Sequence, residues 1–438
     1  MEFERVVEEW NPMDAARPVY RPPSAPRNHR LPQRVYWRRR ALVALATITT
    51  LLVVYLGGTL AMALRNPTYG VSYMARGAEW GRQHGMGPFV TWIETEYYKL
   101  NPAKVGGKPP AKSFGSGVTA VKVPTSGHLP EPPRVISPAA NPLPGEGVWH
   151  VAGRTANGVP AVYEAFIRPD SVHTSYVVGI AWMDPTLLRA QLYSGSFIPG
   201  GNYHFIYSAP ITPFASRSLV AAFNAGFRMQ DANGGYYTQG TTIIPLRRGA
   251  ASVVVYKNGL MTVGAWGTKG FTMTNQVASV RQNLNLLVVH GHPVSDLSNP
   301  ALWGATLGGT FNVWRSGLGV TKDGAIVYVG GPAMSISDLA NVLVRAGAVT
   351  GMQLDINTDW VQYSTFTGAP GAIINGNNGT SLLSGMVGSP SRYFASWWNR
   401  DFYTMSLRPL PAGATSATSS TASSSTSSST TTSTTPGG

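Results

Sequence analysis

The stretch GLGVTKDGAIVYVGGPAMSISDLANVLVRAGAVTGMQLD, residues 317–355, decides the fold of this chain. Its first part, residues 317–331, predicts a β-hairpin. The reason is that Asp323 and Gly324 form a turn signal between two apolar runs rich in β-branched residues. We therefore expect two antiparallel strands near the centre of the globular part of the chain.

The second part of that stretch predicts a helix followed by a strand. Ser335 is a typical N-cap residue, and Asp338 stands three residues later, as in a capping box. Gly347 indicates the end of the helix. An apolar strand then leads to Asp355, so residues 325–355 are expected to form a strand–helix–strand unit with a right-handed crossover.

Further strands are predicted on both sides of this unit. The segments with a strand pattern are 148–152, 161–167, 175–183, 252–264 (a hairpin turning at Asn258-Gly259) and 285–291. Strands outnumber helices along this part of the chain. The expected fold class is therefore α+β, with mixed β-sheets and flanking helices, preceded by one N-terminal transmembrane helix.

The composition excludes several classes of function. The 438 residues include no cysteine, which excludes disulfide scaffolds, Cys-ligated metals and thiol nucleophiles. The formal net charge is +14, and residues 1–140 contribute +9 of it. The rest of the chain contains no dense run of basic residues. No nucleic-acid partner is expected.

A membrane anchor is predicted near the N-terminus. Residues 41–64 form an uncharged apolar run of 24 residues, which is long enough to span the ~30 Å hydrocarbon core of a bilayer. Arg38, Arg39 and Arg40 precede it directly, and positively charged flanks stay in the cytoplasm. The expected protein is a single-pass signal-anchored protein of the cell membrane, with a cytoplasmic N-terminus and an extracytoplasmic main domain.

The remaining boundaries follow from changes in composition. The predicted segments are a disordered cytoplasmic segment (1–40), the transmembrane helix (41–64), a juxtamembrane helical segment (65–100), a Pro-rich spacer (101–146), the main domain (147–410) and a disordered Ser/Thr-rich tail (411–438). The juxtamembrane segment either lies at the membrane interface, with Trp80, Trp92, Tyr97 and Tyr98 as anchors, or packs on the main domain.

The end of the strand at Asp355 is the first candidate site. In extended geometry Asp355, Asn357 and Asp359 point to one side, so two carboxylates and an amide converge. An EF-hand is excluded because Trp360 occupies the position of its glycine. Three alternatives stay open: another divalent-cation site, acid/base or nucleophilic chemistry on a sugar, and a turn capped by Asx side chains.

Weaker candidates lie elsewhere in the chain. His290 and His292 have the spacing of two metal ligands on one strand face, although no third ligand is evident. Gly308 and Gly309 precede Arg315 and are compatible either with a pocket wall or with plain turns.

The sequence resembles the phosphodiester glycosidase family. Three blocks carry the resemblance: AAFNAGF at 221–227, RSGLGVTKDG at 315–324 and GAVTGMQLD at 347–355. The resemblance covers residues 200–410 and is expected to extend back to residue 147. It implies a hydrolase that removes a sugar from a phosphodiester. It also implies Asn224, Arg315 and Asp355 as site residues.

The roles implied by this resemblance follow from the chemistry. A phosphodiester is a good leaving group that needs positive charge rather than a proton, and a guanidinium such as Arg315 binds phosphate through two hydrogen bonds. Asn224 would hold a sugar hydroxyl or a phosphate oxygen. Asp355, with Asp359 second, would be the nucleophile, base or electrostatic stabiliser. The expected substrate-binding residues are Gly226, Asn357, Trp360, Gly308 and Gly309.

One departure from the family pattern leaves two functions open. The family has a Gly-rich loop after the aspartate, where this chain has Ile356-Asn357-Thr358-Asp359-Trp360. The first expectation is a membrane-anchored glycosidase that hydrolyses a sugar-1-phosphate phosphodiester in a bacterial cell-envelope glycan. The alternative is a non-catalytic glycan-binding or envelope-organising protein on the same fold. No cofactor is firmly implied, and a divalent cation at Asp355, Asn357 and Asp359 is a third option.

Overall fold

The fold is described from a computed structural model covering residues 32–115, 127–304, 311–409 and 437–438. The chain divides into two compact units, Met1–Thr59 and Leu60–Gly438. Several predictions lie outside the described residues: the disordered state of residues 1–31, that of residues 411–436, and the roles of Gly308 and Gly309.

The first helix contains the predicted membrane segment. The helices are α1 (Gln33–Arg65), α2 (Tyr73–Gln83), α3 (Gly87–Leu100), α4 (Pro213–Ser216) and α5 (Ile336–Arg345). Helix α1 begins eight residues before the predicted span and ends one residue after it. Its apolar side chains are exposed, with Leu42 and Val54 at 65% and 66%. By length and composition it suits a membrane anchor or a signal sequence.

Strands make up most of the second unit. They are β1 (His150–Ala156), β2 (Val159–Ile167), β3 (Val178–Met183), β4 (Leu188–Tyr193), β5 (Leu219–Asn224), β6 (Tyr236–Thr238), β7 (Thr241–Ile244), β8 (Ala251–Tyr256), β9 (Met261–Ala265), β10 (Val277–Gln282), β11 (Leu286–Val289), β12 (His292–Pro293), β13 (Val313–Thr321), β14 (Ile326–Met334), β15 (Ala348–Ile356), β16 (Tyr363–Phe366), β17 (Gly379–Ser381) and β18 (Phe402–Leu407). Short 3-10 helices span Pro67–Tyr69, Ser295–Ser298, Pro300–Leu302, Gly376–Asn378 and Pro390–Phe394.

These strands form three sheets. The eight-stranded sheet has the order β1-β2-β3-β14-β13-β15-β11-β12, and the two five-stranded sheets have the orders β7-β6-β10-β8-β9 and β17-β16-β5-β18-β4. Neighbouring strands pair in antiparallel fashion, as in β13 with β14 and β13 with β15. With helices flanking the sheets and α1 preceding them, the predicted α+β class is confirmed.

The strand–helix–strand unit forms as predicted. Ser335 Oγ accepts a hydrogen bond from Asp338 N at 3.1 Å, and Asp338 Oδ2 accepts one from Ser335 N at 2.8 Å. Helix α5 then returns the chain, so that β14 and β15 lie on either side of β13 and run parallel to each other. A Cβ on Gly317 would lie 3.1 Å from the side chains of Leu339 and Leu343. The glycine in β13 thus allows α5 to pack closely on the sheet.

The core lies on both faces of the eight-stranded sheet. On one face, buried residues of α5 such as Leu339 and Leu343 pack against the strands. On the other face the aromatic rings of Phe223, Tyr328 and Tyr363 meet, with centroids 5.0–5.8 Å apart. This second layer joins the large sheet to the smaller one that carries β5, and thereby brings the ends of β5 and β15 together.

The segments before the main domain pack on it. Trp80 is buried and the Tyr98 ring lies 6.1 Å from that of Phe311, whereas Trp92 and Tyr97 are exposed. The described parts of the predicted Pro-rich spacer also lie along the domain, since Trp149 Nε1 donates to Pro133 O at 2.8 Å. Burial of the apolar faces of these segments explains why they pack on the domain rather than extend from it.

Candidate functional site

Asp355 lies at the end of β15, at the inner surface of a cleft. Only 4% of the residue is exposed, and its Oδ1 accepts a hydrogen bond from Ile356 N at 2.8 Å. Four segments line the cleft around it, together with Gly304 and Arg400. They are α2 (Glu79 and Arg82), α3 (Glu94), the loop after β5 (Phe227, Arg228 and Asp231) and the turn after β15 (Ile356, Asn357 and Trp360).

The guanidinium beside Asp355 belongs to Arg400. Its Nη1 lies 3.8 Å from Asp355 Oδ2, and its Cζ lies 4.0 Å above the ring of Trp360. Arg400 is only 6% exposed, and among the described residues its Nη1 has no hydrogen-bond partner. The neighbouring Asp401 is held instead by Arg281, whose Nε lies 2.8 Å from Asp401 Oδ2. Arg400 therefore presents a buried donor that an anionic ligand can satisfy.

The environment keeps Asp355 partly protonated near neutral pH. Burial raises the pKa of this carboxyl to about 7, because desolvation disfavours the charged form. The positive charge of Arg400 opposes this effect and is the largest influence that lowers the pKa of Asp355. Burial also lowers the pKa of the Arg400 guanidinium. A carboxyl that titrates near pH 7 is suited to general acid or base chemistry.

The other two guanidiniums of the cleft are paired. Arg228 Nη1 lies 3.1 Å from Glu79 Oε1, and Arg228 Nη2 lies 2.7 Å from Asp231 Oδ2. Arg82 Nη2 lies 2.6 Å from Glu94 Oε2. Helices α2 and α3 thus supply carboxylates to Arg228 and Arg82. Among the described arginines that line the cleft, Arg400 is the one with a buried donor that lacks a hydrogen-bond partner.

Asn224 and Asp355 are connected through Ser316. Asn224 Nδ2 donates to Ser316 Oγ at 3.1 Å, and Ser316 Oγ accepts from Asp355 N at 3.1 Å. Asn224 Oδ1 accepts from Tyr328 Oη at 2.9 Å and from Gln362 N at 3.1 Å. The three blocks of the family resemblance therefore meet at the backbone of Asp355. Asn224 does not line the cleft; it holds the residue that positions Asp355.

Arg315 does not reach this cleft. Side chains alternate along a strand, so Arg315 and Ser316 point to opposite faces of the sheet. The Arg315 guanidinium donates to Met334 O at 2.9 Å and to Phe311 O at 3.1 Å, and it is fully buried. Burial lowers the pKa of Arg315 to about 10. Arg400 occupies the position beside Asp355 that the sequence suggested for Arg315.

The chain after Asp355 turns instead of staying extended. Strand β15 ends at Ile356, and Asn357 has φ +71°, a left-handed conformation that asparagine tolerates. Asn357 Oδ1 accepts from Asp359 N at 3.1 Å, which is an Asx turn. Asn357 lines the cleft, but Asp359 does not; its Oδ1 accepts from Ser72 N at 3.0 Å. The predicted convergence of Asp355, Asn357 and Asp359 is therefore incomplete.

The remaining predicted binding residues are divided between the cleft and other places. Trp360 lines the cleft, with Arg400 over its ring. Gly226 is buried, and a Cβ there would lie 3.3 Å from the guanidinium carbon of Arg281. Gly226 therefore packs against Arg281 and does not line the cleft.

The candidate metal ligands do not form one site. His290 and His292 are exposed at the turn between β11 and β12, where Val289 pairs with Thr350 at the far end of β15 from Asp355. Within the part of the chain that the structure describes, no group of three or more His, Asp or Glu side chains is placed to hold a metal ion.

Sequence reasoning missed Arg400, Arg228, Ser316 and Glu79. Arg228 directly follows the block at 221–227, and Ser316 lies inside the block at 315–324, so both were within reach of the motif. Arg400 and Glu79 lie in stretches without a motif. Only the folded chain brings them to Asp355.

Comparisons with known proteins give weak similarities of structure. No family model matches the sequence, and no match is found among curated proteins. The catalytic domain of zebrafish N-acetylglucosamine-1-phosphodiester alpha-N-acetylglucosaminidase, auto-inhibited by its pro-peptide, matches with a TM-score of 0.37 and 12% identity, over 60% of this chain and 88% of that one. A hypothetical protein from Synechocystis matches with a TM-score of 0.31 and 14% identity, over 58% of this chain and 64% of that one. At these TM-scores the similarities assign neither a family nor an activity to the chain.

Proposed function

We propose that this chain is a membrane-anchored hydrolase that cleaves a sugar-1-phosphate phosphodiester in a cell-envelope glycan. The observation that carries the proposal is the pairing of Asp355 and Arg400 in one cleft. A carboxyl with a pKa of about 7 stands beside a buried guanidinium whose Nη1 has no hydrogen-bond partner among the described residues. The three sequence blocks that resemble phosphodiester glycosidases, and that meet at Asp355, support the same proposal.

In the proposed reaction Arg400 binds the phosphate and Asp355 acts in its ionised form. Water forms a bond to the anomeric carbon while the bond from that carbon to the phosphate oxygen breaks. Asp355 takes a proton from the water, and the phosphate leaves as a monoester anion that needs no proton at that moment. The negative charge of Asp355 also stabilises the cationic sugar in the transition state.

Two further groups would assist this chemistry. By pairing with Glu79 and Asp231, Arg228 neutralises two carboxylates that would otherwise repel an anionic substrate in the cleft. Ser316, held by Asn224, fixes the backbone of Asp355 and acts as a positioning residue. A positioned carboxylate lowers the entropy cost of bringing water and sugar together.

The membrane topology belongs to the same proposal. Arg38, Arg39 and Arg40 precede the apolar part of α1, and such a flank stays on the cytoplasmic side. The unit that contains the cleft would then face the outside of the cell, where envelope glycans are located. The absence of cysteine from the sequence is compatible with folding in either redox environment.

A glycan-binding protein without catalysis is the second candidate function. It is favoured by the turn after Asp355, where bulky side chains and an Asx turn replace a Gly-rich anion-binding loop. It is also favoured by the pairing of Arg228 and Arg82 with carboxylates of α2 and α3. In this case the cleft would bind a saccharide and leave its phosphodiester intact.

The experiment compares turnover of glycosyl phosphodiesters by the purified full-length chain and its variants. We expect sugar release by the wild type and a loss of about 10³-fold or more in Asp355→Asn, in the range found for essential acid–base residues. Asp323→Asn, in the exposed turn between β13 and β14, is the matched control and should keep full activity. Saccharide binding without turnover would favour the second function, and equal turnover by Asp355→Asn would contradict the proposed site.

A further inference from the structure

Helix α3 turns one face toward the main domain. Val90 is buried, Glu94 lines the cleft, and the Tyr98 ring packs beside Phe311. These three residues are spaced by four and therefore share one side of the helix. Because this side is fixed on the domain, the orientation of the opposite side is fixed as well.

The exposed side of α3 is largely apolar, and it also carries the ion pair of Glu96 and Lys99, whose side chains are 41% and 56% exposed. Its apolar residues are Phe89 (56% exposed), Trp92 (58%), Ile93 (47%), Tyr97 (47%) and Leu100 (79%). The rings of Phe89 and Trp92 stack with centroids 5.8 Å apart, so these two side chains share one exposed apolar surface. We call these five residues the outer face of α3.

Such a surface is unfavourable in water and indicates a contact. Burial of apolar surface is favourable by about 25 cal/mol of free energy per Å². Contiguous exposed apolar patches therefore mark sites of interaction with proteins or membranes. The preceding helix adds to the exposed apolar area, because Tyr73 and Met74 at the start of α2 are 72% and 73% exposed.

The chain itself indicates what covers this surface. Helix α2 begins eight residues after Arg65, the last residue of α1, and Arg76 Nη1 donates to Leu64 O at 2.7 Å. The helix pair that carries the outer face is thus bonded to the end of a helix with the length and composition of a membrane span. Trp and Tyr are the residues enriched at the lipid headgroup region, where an apolar ring and a polar group are both satisfied.

We propose that the outer face of α3 docks on the lipid bilayer at the boundary of headgroups and acyl chains. Phe89, Trp92 and Ile93 enter the apolar side of this boundary, as in amphipathic helices that lie in the membrane plane. The same helix supplies Glu94 to the cleft, so a wall of the cleft rests on the membrane surface. This inference does not depend on the proposed hydrolase activity.

The absence of native cysteine allows a site-specific test. Ile93→Cys in the full-length protein is labelled with an environment-sensitive fluorophore and reconstituted in vesicles of phosphatidylcholine and phosphatidylglycerol. Nitroxide groups on the lipid chains then quench fluorophores that enter the bilayer. The control is Lys322→Cys. Lys322 is exposed and directly follows β13, whereas Phe311, which contacts α3, precedes β13, and the strand between them is about 30 Å long.

We expect quenching at position 93 to exceed that at position 322 severalfold. Equal weak quenching at both positions would overturn the proposal. A fluorophore at position 93 that is shielded from water but not quenched by lipid would assign the outer face of α3 to a protein contact, and would also overturn it. Since Ile93 points away from the core, its replacement leaves the packing of α3 on the domain intact.

Discussion

Arg400 Nη1 lies 3.8 Å from Asp355 Oδ2, near enough for charge attraction and too far for a hydrogen bond. This separation has two consequences. The guanidinium limits the rise in the pKa of Asp355 that burial causes. It also keeps a donor available for a third group, and an anionic substrate between or beside the two residues would satisfy it. Among the described residues, the Arg400 Nη1 donor of this pair is thus available to a ligand.

The activity should follow the ionisation of Asp355. If the ionised carboxylate takes a proton from water, kcat/KM rises with pH and reaches half of its maximum near pH 7, because the pKa of Asp355 in the free protein is about 7. A pH–rate profile between pH 5 and 9 measures this. A profile that falls over the same interval would mean that Asp355 acts as an acid, contrary to the proposed mechanism.

The stability should show the same titration with a defined sign. The pKa of Asp355 is raised in the folded state, so between about pH 4 and 7 the folded state binds the proton more tightly than the unfolded state does. The contribution of this carboxyl to stability is present at low pH and is lost as the pH rises through 7. Asp355→Asn should therefore be more stable than the wild type at pH 8, by about 2–4 kcal/mol, and the difference should shrink at pH 5.

Denaturant unfolding of both proteins at pH 5 and pH 8 measures this difference. Glu164, whose pKa burial also raises to about 7, titrates in the same interval but contributes equally to both proteins. The comparison therefore isolates Asp355. A difference that stays the same at the two pH values would show that Asp355 does not titrate in this range.

Replacement of Arg400 should affect substrate binding and the pH profile together. Arg400→Gln removes the charge that receives the phosphate, and a loss of about 10²-fold or more in kcat/KM is expected. It also removes the largest influence that lowers the pKa of Asp355, so the midpoint of any residual activity moves above pH 7. Arg400→Lys keeps the charge and should restore part of the activity. An unchanged midpoint in Arg400→Gln would argue against the coupling of the two residues.

Arg315 should behave as a structural residue. Its guanidinium satisfies the buried carbonyls of Met334 and Phe311, so Arg315→Met leaves them without their donor and should lower the free energy of unfolding by about 2–4 kcal/mol. The kcat of the folded fraction should stay within about twofold of the wild type, whereas the exposed Arg248→Met should change neither quantity. A folded Arg315→Met protein without activity would place Arg315 in the mechanism instead.

The different locations of Arg315 and Arg400 show which parts of the structure can be predicted from the sequence. The hairpin at Asp323-Gly324, the capped helix starting at Ser335 and the strand ending at Asp355 depend on neighbours a few residues apart, and local patterns predict them. The motif at residues 315–324 contains both Arg315 and Ser316, and the motif alone does not show which face of the sheet each side chain takes. The contact of Asp355 with Arg400 joins residues 45 positions apart, through packing that no local pattern contains.

Ser316 should control the position of Asp355 without touching the substrate. Its Oγ accepts hydrogen bonds from Asn224 Nδ2 and Asp355 N, each at 3.1 Å, so Ser316→Ala lets the end of β15 shift. A shift of a catalytic group by a fraction of an ångström is expected to lower kcat about tenfold or more. The KM should change little, because Arg400 and Trp360 still line the cleft.

Ser252→Ala is the matched control, since Ser252 is an equally buried serine on β8. Both variants lose a hydroxyl from the core, and equal losses of kcat in the two would show that Ser316 acts only through general stability. A loss confined to Ser316→Ala, with KM preserved, would identify it as a positioning residue.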